Sequence, residues 1–342
     1  MKIEKISVPN YEEVYHGTDD KSGLNAFISV HSTRLGPSLG GIRLWNYESE
    51  DEALFDALRL SKAMTYKAAS ADLKLGGGKA VIISDPRKPK SEELLRAMGQ
   101  FVNTIEGRYL AAEDASITPD DLAIIQQETS FVTGTHEGSG DPSPVTAEGV
   151  FKGMQICAEK QLGHSDFSRI SVAIQGVGHV GSFLVEHLIQ AGAKVTITDV
   201  QQSNIDAITQ KFPVTVVSPE EIFRVEADIF SPCALGGVLT AQNIPHLPAK
   251  IIAGASNNQL ADGEQCDFML NQENKLYAPD YVINAGGVIN IYVIDILKET
   301  NVAHWLELIP KNLSEIFSIS EKRNIPPGQA ANELVEERLK SK

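Results

Sequence analysis

At 342 residues the chain is long enough for two domains, and its 42% hydrophobic and 22% charged residues fit an ordinary soluble globular protein. A formal net charge of -15, from 45 acidic against 30 basic residues, argues against nucleic acid or an anionic membrane as partner and leaves room for a local basic pocket. Three widely spaced cysteines, Cys157, Cys233 and Cys266, match no zinc pattern, so no metal is expected and the thiols fit a reduced interior. The charged Met1–Lys5 segment lacks the apolar core of a signal peptide, and no apolar run approaches the roughly 18 residues that cross a bilayer, so a cytoplasmic location is expected.

In chain order, Asn25–Val30 reads as a strand, followed by Leu35-Gly36-Pro37-Ser38-Leu39-Gly40-Gly41, whose glycine pair reads as a turn that opens space near the backbone. Ser49 and Glu52 have the spacing of a capping box for a helix running to about Ala69, with Leu54, Leu58, Leu60 and Met64 as its buried stripe. Lys67 shares that stripe. It either snorkels to solvent near the helix end or binds an anion such as a carboxylate. Gly76-Gly77-Gly78 then reads as a tight turn, with Lys79 at the mouth of the strand that follows. Lys79 is either a solvated turn lysine or a reactive amine with a lowered pKa. A helix over Ser91–Thr104 and a strand over Arg108–Ala112 lead to Glu113 and Asp114 at a strand end. Thr118-Pro119-Asp120-Asp121 opens the next helix. Asp114 is either a solvated loop acid or a catalytic one.

Thr133–Pro144, rich in glycine, proline and small polar residues, reads as a hinge. An amphipathic helix follows at about Ala147–Lys160. The strand Ile170–Gln175 then runs into Gly176-Val177-Gly178-His179-Val180-Gly181, a GxGxxG turn before a helix over Ser182–Ala191. The second strand, Lys194–Thr198, closes on Asp199, 18 residues beyond Gly181. That context marks a Rossmann-type site: the glycines admit a pyrophosphate to the helix N-terminus and the carboxylate accepts ribose hydroxyls. Asp199 would repel a 2′-phosphate and Gln201 and Gln202 carry no charge to reverse this, so NAD is the expected cofactor. Strand pieces at Val214–Val217, Ala227–Phe230, Lys250–Ala253 and Lys275–Ala278 end in loops that include Cys233, Ala234, Ala255, Asn257 and Asn284-Ala285-Gly286-Gly287. These loops, with Thr146, are expected to line the cofactor crevice. The Cys233 thiol reads as buried and inert. From Val302 the chain is helical, with a final helix over Gly328–Lys340.

With these residues laid out, the chain resembles the amino acid dehydrogenase superfamily, in particular leucine, phenylalanine and tryptophan dehydrogenases, over nearly its whole length. The resemblance rests on Leu39–Arg43, Ala57–Lys67, Leu75–Lys79, Glu113-Asp114, Gly176–Gly181 and Pro279–Gly287, several motifs in one order. It implies an α/β fold of two domains with a cleft between them. The first is a substrate and catalytic domain over 1–135, with a helix near 327–342 packing back on it; the second is a Rossmann NAD-binding domain over 136–326. It further implies that Lys67 binds the substrate carboxylate, that Lys79 is the catalytic lysine and that Asp114 handles protons at the amino group. Leu39, Gly40, Gly41, Met64, Ala112, Thr133, Val288 and Ile291 would shape the substrate site.

The expected reaction is reversible NAD-dependent deamination of an L-amino acid to a 2-oxo acid and ammonia. Burial and the neighbouring Lys67 would lower the pKa of Lys79 for its role as base. Leu39, Gly40, Val288 and Ile291 supply no partner for an acidic side chain, so the substrate is expected to be apolar. Ala115-Ser116-Ile117 and Tyr292-Val293-Ile294 lean toward the tryptophan-type relatives. A homo-oligomer is expected, dimer or octamer. A 2-hydroxy acid dehydrogenase and a non-catalytic NAD sensor are the rival readings.

Overall fold

A computed structural model describes residues 1–135 and 138–341. His136 and Glu137, within the stretch read as a hinge, and the terminal Lys342 lie outside the described residues. The chain divides into two compact units: Met1–Asp141 with Ile291–Glu299 and Arg338–Lys342, and Pro142–Asn290 with Thr300–Glu337.

The first unit is built on a six-stranded mixed sheet of β1 (Lys2–Ile6), β2 (Glu13–Asp19), β3 (Leu24–Ser32), β4 (Ser38–Trp45), β5 (Gly76–Ile83) and β6 (Tyr109–Ala112). Their order is β1-β2-β3-β5-β4-β6; β4 runs parallel to β5 and β6, while the β1–β2, β2–β3 and β3–β5 pairs are antiparallel. Strand alternation sends Ile28, Val30, Ala80 and Ile82 to one face, where they pack with Met98, Phe101 and Val102 of α2 (Glu92–Asn103). Phe27 and Val81 take the other face, against Ala53 and Ala57 of α1 (Glu50–Ser70). Ser91 caps α2, and Thr118 forms a complete capping box with Asp121 on α3 (Pro119–Ile125).

Both glycine-rich stretches differ from their expected turns. Gly40-Gly41 lies inside β4, and Gly76–Gly78 opens β5, which places Lys79 fourth in that strand instead of at its mouth. Glycine is required for proximity. A Cβ on Gly77 would stand 2.0 Å from the amide nitrogen of Thr65 and 2.4 Å from the Ser61 carbonyl oxygen, so α1 rests directly on the backbone of β5. Only a small-residue face allows that approach. Ala53, Asp56, Ala57, Ser61, Thr65 and Ala68 are therefore buried, whereas the expected stripe of Leu54, Leu58, Leu60 and Met64 is half-buried, as is Lys67. Ser49 caps the amide of Glu52, but the Glu52 carboxylate returns to the amide of Glu48 at 2.7 Å, one residue before the position a capping box uses.

The second unit begins with α4 (Ser143–Leu162) and carries an all-parallel sheet of β7 (Ser171–Gln175), β8 (Lys194–Thr198), β9 (Thr215–Val216), β10 (Ile229–Pro232), β11 (Ile251–Ile252) and β12 (Leu276–Tyr277). Its order, β12-β11-β10-β7-β8-β9, is that of the doubly wound dinucleotide-binding fold, with the switch point between β7 and β10. The intervening helices are α5 (His179–Gln190), α6 (Gln202–Thr209), α7 (Gly263–Gln272), α8 (Asp280–Ile283) and α9 (Gly286–Ile291). A single π-helical turn over Tyr292–Ile296 follows, then α10 (Val302–Leu306), α11 (Leu308–Arg323) and α12 (Pro327–Lys340). The expected loop Asn284–Gly287 is instead the junction of α8 and α9. A Cβ on Gly286 would meet the Val145 carbonyl oxygen at 2.5 Å, so glycine lets α9 start against α4. Among the described residues no helix is long and apolar enough to cross a membrane.

Candidate active site

The centre of the first unit is the contact of Lys79 with Asp114. Lys79 leaves β5 on the same face as Gly77 and Val81, is 5% exposed, and donates from Nζ to Asp114 Oδ2 at 2.5 Å. Asp114 reaches it because Gly41, paired with Ala112 across β4 and β6, has no side chain: a Cβ there would stand 2.6 Å from the Cβ of Asp114. Burial pushes Lys79 below the ordinary lysine range, opposed by Asp114 and assisted by the Arg43 cation. Burial alone would raise Asp114, but Lys79 and Arg43 hold its carboxyl below the usual carboxylate range. An amine brought toward neutrality beside an ionised carboxylate is equipped to pass protons.

Around this pair lies a network that the sequence did not single out. Arg43 Nε donates to Asp114 Oδ2 at 2.8 Å, and its Nη1 donates to Asp56 Oδ2 at 3.1 Å. Asp56, 6% exposed on α1, also accepts from the Tyr47 hydroxyl at 2.7 Å and pairs with Arg59 at 2.6 Å. Asp56 could have been flagged as an acid between Ala53 and Ala57 on the small-residue face of a helix, and Arg43 as the end of the glycine-pair motif.

Most of the other expected residues of this unit gather along β4 and β6. Leu39 and Gly40 pair with Leu110 and Ala111, and Leu39 is buried in the sheet. A Cβ on Gly40 would lie 1.7 Å from the Gly78 carbonyl oxygen, so its bare Cα serves strand packing. Thr133 bonds the Ala111 carbonyl through its amide (2.8 Å) and its hydroxyl (3.2 Å), beside buried Ala112. Met64 and Lys67 lie farther along α1, both half-buried, with Lys67 in its last turn. Ile291 is half-buried at the end of α9; Val288, in the second unit, is buried.

In the second unit the GxGxxG turn has the local geometry its sequence implies. Gly176 has φ +96°, Gly178 faces open space, and a Cβ on Gly181 would strike the Gly176 carbonyl oxygen at 2.1 Å. α5 starts at His179, three residues before the expected Ser182. Its N-cap is Gly178 with no side-chain cap, which leaves the first-turn amides of exposed His179 and half-buried Val180 free to meet an anion. Asp199 Oδ2 accepts from the Val177 amide and Oδ1 from the Gln201 amide, each at 2.8 Å, which fixes the carboxylate beside the turn. Each oxygen keeps a lone pair for a hydroxyl.

Cys233 donates its amide to the Gln175 carbonyl at 2.7 Å, and Ala234 packs on Gly176. Burial pushes the Cys233 thiol up, away from nucleophile chemistry. Asn284, 3% exposed, donates to Ala255 O (3.0 Å) and Asn257 Oδ1 (2.7 Å), while Thr146 turns its hydroxyl to the Pro142 carbonyl. Four buried polar atoms, Gln175 Oε1, Thr198 Oγ1 and Ser256 Oγ near strand ends and Asn284 Oδ1 between α8 and α9, have no partner among the described residues. Buried polar groups are ordinarily paired, and a dinucleotide rich in hydroxyls and amides fits such a rim.

Comparison with known proteins accords with this geometry. The family described as Glu/Leu/Phe/Val dehydrogenase, dimerisation domain, matches residues 12–131, and Glutamate/Leucine/Phenylalanine/Valine dehydrogenase matches residues 197–317. The chain is 47% identical to leucine dehydrogenase of Geobacillus stearothermophilus over 97% of this chain and 91% of that protein. It is 43% identical to L-tryptophan dehydrogenase of Nostoc punctiforme over 99% of this chain and 96% of the relative. The crystal structure of L-tryptophan dehydrogenase from Nostoc punctiforme superposes with a TM-score of 0.87 at 40% identity, covering 97% of this chain and 96% of the other. Dehydrogenases of this kind use a nicotinamide cofactor, which the Gly176–Gly181 turn and Asp199 fit. The chain belongs to the glutamate/leucine/phenylalanine/valine dehydrogenase family and is an amino acid dehydrogenase, an oxidoreductase.

Proposed function

We propose that the protein catalyses the reversible, NAD-dependent oxidative deamination of an apolar L-amino acid. The amino acid, NAD⁺ and water give the 2-oxo acid, an ammonium ion, NADH and a proton. The observation that carries this reading is the contact of buried Lys79 with half-buried Asp114 at 2.5 Å, in a chain that also holds a GxGxxG turn with an acid at the end of its second strand. When bound, the nicotinamide accepts a hydride from the substrate Cα.

The protein side of the chemistry follows from the residues. Lys67 takes the substrate carboxylate. Asp114, with both donors converging on Oδ2, offers Oδ1 to the substrate amino group and accepts its proton. Neutral Lys79 removes a proton from the water that attacks the imine carbon and then returns it as ammonia departs. Gly40, Met64, Ala112, Thr133, Val288 and Ile291 are assigned to the substrate side chain. They contain no cation for an acidic one, and the named relatives act on leucine and tryptophan.

NAD is favoured over NADP because Asp199 faces the ribose position with a negative charge and Gln201 and Gln202 are neutral. We further assign a homo-oligomer, supported by the match of residues 12–131 to a dimerisation domain; light scattering measures its size.

The test is to incubate the protein with NAD or NADP and a panel of L-amino acids and 2-hydroxy acids, following NADH and ammonia. NADH with apolar amino acids and stoichiometric ammonia supports the reading. Reduction with hydroxy acids alone, or NAD binding without turnover, rejects it.

A further inference from the structure

We propose that Arg43 and Asp56 are positioning residues for the reaction, together holding the Asp114 carboxylate on Lys79 and balancing the charge around it. This rests on the reading of Lys79 and Asp114 as the proton-transfer groups.

Arg43 follows Gly41 by two residues on β4, so it projects to the same face, over the gap that the missing side chain leaves for Asp114. Its planar guanidinium spans two carboxylates, with Nε on Asp114 and Nη1 on Asp56. Asp56 is itself anchored by Tyr47 and Arg59. The fork is therefore fixed at its far edge to α1, and Asp114 is fixed at its near edge. Both Lys79 and Arg43 bond Oδ2, and among the described residues no donor reaches Oδ1. The arrangement selects one carboxylate orientation with one oxygen held and the other available. Burying such ions adds little net stability, so the return is geometric.

Charge points the same way. The groups around Lys79 and Asp114 include Arg43 from β4, Asp56 and Arg59 from α1 and Tyr47 from the loop after β4, while Tyr109 of β6 feels the Asp114 charge. Of these, Arg43 favours the neutral amine at Lys79 and Asp56 favours the ammonium. Removing either one should move the titration of Lys79 in opposite directions, an outcome that a purely structural role would not produce.

The experiment compares the parent chain with Arg43→Gln, Arg43→Lys and Asp56→Asn. It uses the pH profile of kcat/KM for the best amino acid and the titration of 13Cε-labelled Lys79 by NMR in the full chain. Arg43→Gln should raise the Lys79 midpoint and Asp56→Asn should lower it, each by several tenths to about one pH unit, with kcat reduced about tenfold in Arg43→Gln and KM little changed. Arg43→Lys keeps the charge but cannot span both carboxylates; it should hold the midpoint near the parent's with a lower kcat. Coincident midpoints, or shifts of the same sign, overturn the proposal. If Arg43→Gln does not fold, a parental kcat in Arg43→Lys overturns it instead. Opposed NMR shifts without amino acid oxidation by the parent reject the proposed function and, with it, the part assigned here to Arg43 and Asp56 in the reaction. Turnover with coincident shifts rejects this inference alone.

Discussion

A Cβ on Gly41 would stand 2.6 Å from the Cβ of Asp114, so the proton-transfer carboxylate occupies the space of an absent side chain. Gly41→Ala should therefore displace Asp114 from Lys79. The expected result is a fall in kcat of about a hundredfold with a stability loss of about 1–3 kcal/mol, read by steady-state kinetics and urea unfolding. Parental kinetics in a folded Gly41→Ala protein would show that the Asp114 position does not matter.

Lys79→Ala should lower turnover by about 10²- to 10⁴-fold with all amino acids, the usual range for losing a general base. Partial recovery with an added small primary amine would tie the loss to the missing Nζ. Near-native turnover sinks the assignment.

The activity profile should reflect the state of Lys79. Burial first, and Arg43 second, keep its pKa below that of an ordinary lysine, and the reaction needs the neutral amine. kcat/KM should thus rise with pH through a limb below the usual lysine range. Asp114, held low by Lys79 and Arg43 against its burial, stays ionised across that limb and adds no second step there.

Asp267 gives a separate prediction about stability. It is 4% exposed on α7, accepts from the Gln329 amide at the start of α12, and burial pushes its carboxyl up to about 6 from 3.8. Between these values the folded state keeps a proton that the unfolded state has released, so this group's contribution falls as pH rises from about 4 to 6. Asp267→Asn retains an acceptor for the helix amides and removes the buried charge. It should flatten the decline of Tm over that window and leave the variant more stable at pH 7 by about 1–3 kcal/mol. A Tm profile parallel to the parent's counts against this account.

Asp199→Ala removes the acceptor from the ribose position along with its bonds to the Val177 and Gln201 amides. The ratio of kcat/KM with NAD to that with NADP should drop roughly tenfold to a hundredfold, mostly through weaker use of NAD. An unchanged ratio would remove Asp199 from cofactor selection.

Much of the second unit could be read in sequence because its signals are local. Strand, glycine turn, helix and closing acid lie within Ile170–Asp199, and the backbone of Gly176 and the bonds of Asp199 are set by neighbours in that span. The Thr118 cap was legible for the same reason. The roles of Lys79 and Asp114 came from resemblance, since each residue alone fits an ordinary loop equally well.

Residue order alone carried the strand, glycine turn, helix and closing acid of the dinucleotide unit and the acidic character of the chain. The tertiary structure decided which surfaces meet. A glycine run has the same composition whether it bends a turn or lets a helix touch a strand; only the Cβ positions at Gly41 and Gly77 distinguish the two. The buried face of α1 followed that contact, so small residues displaced the leucine stripe. Arg43, Asp56 and Asp114 lie on β4, on α1 and after β6, and no periodicity links them. Their partnership exists because parallel pairing of β4 and β6 and the seating of α1 on β5 bring Asp114 onto Lys79, Arg43 onto Asp114 and Asp56 onto Arg43.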